Sequence, residues 1–158
     1  GSRAIAVLAP VFRTLKTETR SMDVTTSVRV PASVAAVWRT VGDFTRLDAW
    51  HPAVSAAQAE DGGQRRRITL VDGSEVVEAL VAHDPAEATY TYRIVEAGPL
   101  PVRDYAATIA VADAGEGTCE VRWTARFEPV GNATLAEQTI KRVYQTGLDN
   151  LPALFGGT

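Results

Sequence analysis

At 158 residues, with 46% hydrophobic side chains and a formal net charge of −3, the chain has the size of one core-forming domain, and folding at this length buries roughly 68% of the surface the unfolded chain exposes. Four of its 16 basic residues but only one of its 19 acidic residues fall in the first 21 positions, so the remainder is acidic and unsuited to tracking phosphates, which excludes a nucleic-acid surface. The single Cys119 excludes an internal disulfide, and with only His51 and His83 beside it no zinc spacing exists, so neither a metal nor a cofactor is expected.

Residues 1–21 read as an extension, a tag or a helical segment, outside the domain that fills 22–158. The apolar run Ala4 to Phe12 within it is far shorter than the roughly 20 residues that span a bilayer, so stable membrane insertion is not expected and a cytoplasmic protein is.

From Asp23 to Val30 the valines at 24, 28 and 30 alternate with polar residues, the period of a half-buried strand. Pro31-Ala32-Ser33 stops it, and Ser33 can cap a short helix that Gly42, in a left-handed conformation, would end. A second short helix is expected over Phe44 to Trp50, before Pro52. Six more strands follow, at Val54 to Glu60, Arg65 to Val71, Glu75 to His83, Ala88 to Glu96, Val102 to Asp113 and Thr118 to Pro129. Turn residues such as Asp72-Gly73 and Gly115-Glu116-Gly117 divide them, and connections this short make neighbours antiparallel. The chain closes on an amphipathic helix, Ala133 to Phe155, with Ile140, Val143, Tyr144, Gly147, Leu148 and Leu151 at three- and four-residue steps. Thr134 and Glu137 have the spacing of a capping box, and Pro152 predicts a kink or an end.

Strand parity sorts the side chains. Trp123 and Phe127 fall on the face turned to the last helix, as do Tyr105 in one strand and Tyr90 and Tyr92 in another. On the same reading Arg66 points inward with Ile68 and Leu70. Glu78 does so with Val76 and Leu80, although Val77, Ala79 and Val81 form an equally apolar alternate face. An isolated buried charge is costly, so Arg66 and Glu78 are expected to pair across the Asp72-Gly73 hairpin or through a polar ligand group. His51, between Trp50 and Pro52, can reach a pocket mouth. The ligand-binding candidates are therefore Trp50, His51, Arg66, Glu78, Tyr90, Tyr92, Tyr105, Trp123, Tyr144 and Leu148. Catalysis, if any, would be proton transfer by Glu78, Tyr105 or His51; no nucleophile arrangement or phosphate loop is present.

The stretches Arg66 to Gly73, Val76 to Leu80, His83-Asp84, Tyr90 to Glu96, Pro99 to Tyr105 and Val121 to Phe127 resemble, in order and spacing, the bacterial polyketide cyclase/dehydrase-like branch of the START-like (SRPBCC, Bet v 1-like) superfamily. The resemblance implies an α+β helix-grip fold. In it a curved antiparallel sheet of about seven strands wraps the C-terminal helix, two short helices follow the first strand, and an apolar cavity lies between. By similarity to the plant abscisic-acid receptors it also implies a polar network from Arg66, Glu78 and Tyr105, with the Asp72-Gly73 turn and the Gly98 to Pro101 loop as gates. The receptors' carboxylate-binding lysine has no counterpart in Pro52-Ala53-Val54-Ser55, so a carboxylate ligand is not expected. Three functions follow as expectations. The first is a carrier or sequestering protein for a small hydrophobic or aromatic ligand with few polar groups. The second is a cofactor-independent cyclase, dehydratase or isomerase working in the same cavity. The third is a protein-interaction module, which would have a filled interior and a large exposed apolar patch. The sequence leaves open whether two copies pair as a homodimer.

Overall fold

The computed structural model describes residues 21–156; the expected N-terminal extension, Ser21 excepted, and residues 157–158 lie outside the described part. Seven strands form one antiparallel sheet: β1 (Met22–Val30), β2 (Val54–Glu60), β3 (Arg65–Leu70), β4 (Glu75–Asp84), β5 (Thr89–Glu96), β6 (Val102–Gly115) and β7 (Thr118–Pro129). Their spatial order is β1-β7-β6-β5-β4-β3-β2. From β2 to β7 each strand pairs with the next in sequence, as short turns require, while β1 crosses over to pair with β7 from Met22↔Phe127 to Val30↔Cys119. Shifts in register interrupt β4 on its β5 side, between Val77 and Glu78 and between Leu80 and Ala82. Such bulges bend a strand and help a sheet to curve.

Between β1 and β2 lie helix α1 (Val34–Val41) and a single 3-10 turn, Leu47–Ala49. Ser33 caps α1, its hydroxyl accepting from the Ala36 amide at 3.1 Å. Two expectations are corrected here. Gly42 is not left-handed: its φ is −75°, and glycine suits the position because a Cβ would enter the indole of Trp38 and the Trp38 carbonyl. The expected helix over Phe44 to Trp50 contracts to the 3-10 turn, since Asp43 turns the chain with its own carboxylate, accepting from the Thr45 amide and hydroxyl.

Helix α2 (Ala133–Asp149) crosses the sheet's inner face, and a short turn of helix, α3 (Leu151–Leu154), follows it. The capping box at Thr134 and Glu137 is not formed. Asn132 caps the helix instead, its side chain accepting from the Leu135 amide at 2.9 Å, which puts Thr134 inside the first turn. The helix parts at Asn150, as Pro152 foreshadowed: proline cannot donate to the Leu148 carbonyl, and its ring crowds the same group. Asn150 is tied across to the end of the Leu47–Ala49 turn by donating to the Trp50 carbonyl at 3.1 Å.

Candidate functional site

The inner face of the sheet, α2 and the Leu47–Ala49 turn enclose a cavity of about 220 Å³. Strands β6 and β7 deliver Tyr105 and Trp123 to it, β5 delivers Tyr92, β4 delivers Val76 and Glu78, and α2 supplies Ile140, Val143 and Tyr144. Its wall is apolar apart from a few polar atoms, and at the mouth stand Val71 and Asp72 from the β3–β4 turn and Leu100 from the β5–β6 loop. Val71 is 69% exposed.

Glu78 faces inward. Val76, Val77, Glu78 and Ala79 are all buried, so burial does not distinguish the faces of β4, but register does. Arg66 and Glu78 are direct cross-strand partners, and Arg66 Nε donates to Glu78 Oε1 at 2.7 Å. Arg66 is fully buried. Its Nη1 donates to the Phe44 carbonyl at 2.8 Å and to the Tyr90 hydroxyl at 3.3 Å, and its guanidinium lies 4.3 Å and 4.6 Å from the ring centres of Phe44 and Tyr92. Burial by itself would lower the Arg66 pKa; the Tyr90 oxygen and the Glu78 carboxylate more than offset this and hold it raised, so the guanidinium stays charged.

Tyr92, Tyr105, Tyr144 and Trp123 form one hydrogen-bonded cluster. The Trp123 indole donates to the Tyr92 hydroxyl at 3.0 Å, Tyr92 and Tyr105 share a bond of 3.0 Å, and the Tyr105 and Tyr144 hydroxyls are in short contact. Trp123 and Tyr144 also stack, their ring centres 4.1 Å apart and 9° from parallel. Burial raises the pKa of all three phenols well above the ordinary tyrosine value, so each keeps its proton and acts as a neutral hydrogen-bonding group. That ill suits Tyr105 as a general base.

His51 lines the cavity but is spoken for on both sides. Its Nε2 donates to the Val143 carbonyl of α2 at 2.7 Å, and its Nδ1 accepts from the Ala53 amide at 3.2 Å. These partners assign the neutral tautomer with the proton on Nε2. Burial lowers the His51 pKa, so the ring resists a second proton, which on Nδ1 would meet the Ala53 amide donor. The sign of the pH effect follows. Stability is retained above the unfolded histidine value of about 6.5 and falls as pH drops below it, because the unfolded chain takes up the proton more readily. Denaturant midpoints measured from pH 7.5 to 5 should fall more steeply for the native chain than for His51→Gln; parallel curves would place the lost stability elsewhere.

Six of the ten expected ligand-binding residues thus meet at one cavity: His51, Glu78, Tyr92, Tyr105, Trp123 and Tyr144. The other four are buried behind its wall and do not reach it. Trp50 packs on Trp123 with ring centres 5.6 Å apart, Arg66 is bonded through Nε and Nη1 to Glu78, Phe44 and Tyr90 with Nη2 buried and unpartnered, Tyr90 lies edge-on to Phe44, and Leu148 belongs to the buried core. Leu47, Ala53, Ile140 and Val143 line the cavity without having been singled out. The helical spacing that placed Tyr144 inward also placed Ile140 and Val143 on its face, and was the available signal for them. Among the described residues no group of three His, Cys, Asp or Glu side chains could hold a metal ion, and no helix is long and apolar enough to cross a membrane.

Residues 21–156 match the family model described as polyketide cyclase / dehydrase and lipid transport. No curated protein matches at a significant level. Among solved structures, the protein XoxI from Bacillus cereus superposes with a TM-score of 0.82 at 32% identity, over 84% of this chain and 94% of its own. Two others share the fold alone. The Zhui aromatase/cyclase from Streptomyces sp. R1128 has a TM-score of 0.71 at 17% identity, over 85% of this chain and 93% of its own. Norcoclaurine synthase from Thalictrum flavum, in complex with dopamine and hydroxybenzaldehyde, has a TM-score of 0.66 at 19% identity, over 86% of this chain and 87% of its own.

Proposed function

This chain belongs to the polyketide cyclase / dehydrase and lipid transport family, and we propose that it acts as a binding protein that holds a small, largely apolar ring compound between the sheet and α2. The observation that carries this reading is the cavity of about 220 Å³ with its apolar wall, open to the surface at one side. An apolar cavity of about 150 Å³ is enough to take up benzene, whereas drug-sized ligands occupy about 300–1,000 Å³. A guest of one or two rings is the match, and its burial at about 25 cal/mol per Å² drives binding without any catalytic group.

The state of the titratable groups favours binding over turnover. His51 has no free nitrogen lone pair or proton to lend, and the three tyrosines hold their protons, which leaves Glu78 as the one available base in the interior wall. A protein-interaction module predicts a filled interior, and the cavity speaks against it. The complex of norcoclaurine synthase with dopamine and hydroxybenzaldehyde is an instance of ring compounds held by the same fold in another protein.

The test is a cavity-filling substitution. Val143→Phe puts a ring into the void from α2 and should weaken the binding of naphthalene by tenfold or more, read by titration calorimetry, while the thermal midpoint holds or rises because empty space is filled. Unaltered affinity in a folded variant would show that the ligand sits elsewhere. Failure of the unaltered protein to bind naphthalene or any other ring compound would overturn the reading outright.

A further inference from the structure

The polar atoms lining the cavity divide into donors already in use and acceptors still free. Tyr92, Tyr105 and Tyr144 close a triad: Tyr92 bonds to Tyr105, Tyr105 to Tyr144, and the Tyr144 hydroxyl in turn to that of Tyr92. Three hydroxyl protons serve three contacts, and each hydroxyl can donate only once, so every phenol in the ring donates once and accepts once. The Trp123 indole spends its single proton on the Tyr92 oxygen. His51 Nε2 donates to the Val143 carbonyl. The backbone amides of Ala53, Val54, Leu70, Val71 and Leu100, residues that also stand in the wall, donate to His51 Nδ1 or to carbonyls of the chain.

The acceptors are not used up. Glu78 Oε1 accepts from Arg66 Nε, but among the described residues Oε2 receives no hydrogen bond, and Glu78 lines the cavity. Tyr105 and Tyr144 each keep one lone pair, since only Tyr92 accepts twice. The nearby donor without a partner, Arg66 Nη2, is sealed off: the atom is buried, and Arg66 does not line the cavity. Among the described residues a guest therefore meets free acceptors and no free side-chain donor. The same orphaned N–H edge leaves the guanidinium charge beside Glu78 incompletely compensated, so a protonated amine would meet repulsion on top of the cost of burying a charge.

Resting on the reading of this cavity as a ligand site, we infer that its ligand is a neutral aromatic N–H compound, of the indole or arylamine class, that donates to Glu78 Oε2. An indole nitrogen donates and cannot accept, so it satisfies the carboxylate without bringing in an acceptor of its own. A ketone does the reverse: its oxygen loses water and finds no donor in return, and a buried polar group left without a partner is costly. A hydrocarbon of the same shape leaves Oε2 unpaired and gains only from the burial of its rings.

Calorimetric titration of the unaltered protein with indole, indene, benzofuran and 1-indanone tests this on one bicyclic skeleton. Indole should bind at least tenfold tighter than indene and benzofuran, with 1-indanone the weakest of the four. Similar affinities for all four, or 1-indanone binding as tightly as indole, would overturn the inference while leaving the cavity as a binding site. Binding of none of them would overturn both readings. Glu78→Gln supplies a second measurement. An amide can keep its oxygen on Arg66 Nε and turn its NH2 toward the guest in place of Oε2, so the advantage of indole over indene should fall several-fold and 1-indanone should gain on indene. An unchanged order would remove Glu78 from recognition and overturn the inference. If that variant does not fold, the four-compound titration decides alone.

Discussion

Arg66→Met should destabilise the fold by about 3–5 kcal/mol, the cost of leaving one partner of a buried ion pair behind. Arg66 is fully buried, and its removal takes away the bond to Glu78, the bond to the Phe44 carbonyl and the charge held between two aromatic rings. The expected signature is a lower urea midpoint with little change in slope, since the surface exposed on unfolding is nearly the same. Arg66→Met combined with Glu78→Leu should recover most of the loss, because a buried pair replaced by apolar groups of similar volume is often neutral. A single variant that loses less than about 1 kcal/mol, the worth of an exposed pair, would mean that water reaches the pair.

Gly147→Ala should also destabilise, against what helix propensity alone foresees. Alanine is better than glycine inside a helix by about 1 kcal/mol, yet a Cβ at 147 would be driven into the His51 ring. That ring cannot swing aside without giving up the Val143 carbonyl and the Ala53 amide. Overpacking of this kind costs about 1–3 kcal/mol, the drop expected in denaturant unfolding. His51→Ala should remove the clash, so the two substitutions should couple favourably in a double-mutant cycle. A stabilised Gly147→Ala would show that the histidine yields easily and that α2 is not held against it.

Much of this architecture was legible in the chain because strands obey a period of two. Parity alone placed Tyr92, Tyr105, Trp123 and Phe127 on the inner face, and the turn residues fixed the order from β2 to β7. Parity failed at Glu78, where Val77 and Ala79 made the opposite face equally apolar, and only the register with Arg66 resolves the two. His51 shows a different limit. Its identity as a titratable residue near a pocket was readable, but its role depends on Val143, 92 positions away, and nothing local announces that bond. Leu47 and Ala53 were missed because an apolar residue beside a cavity is chemically the same as one in solid core. At the start of α2 the Thr134 and Glu137 spacing outweighed Asn132, although asparagine is the stronger cap.

The pairing of β1 with β7 alone imposes an order of events on the chain. The first strand of the sheet is synthesised about a hundred positions before the strand that it joins among the described residues, so that pair cannot form until the end of the sheet has left the ribosome. Long-range closure of this kind carries a large entropic cost and slows folding. The docking of Met22 to Val30 on Phe127 to Cys119 also lays down the floor on which α2 rests, so the hollow for a guest cannot close before this long-range pair has formed.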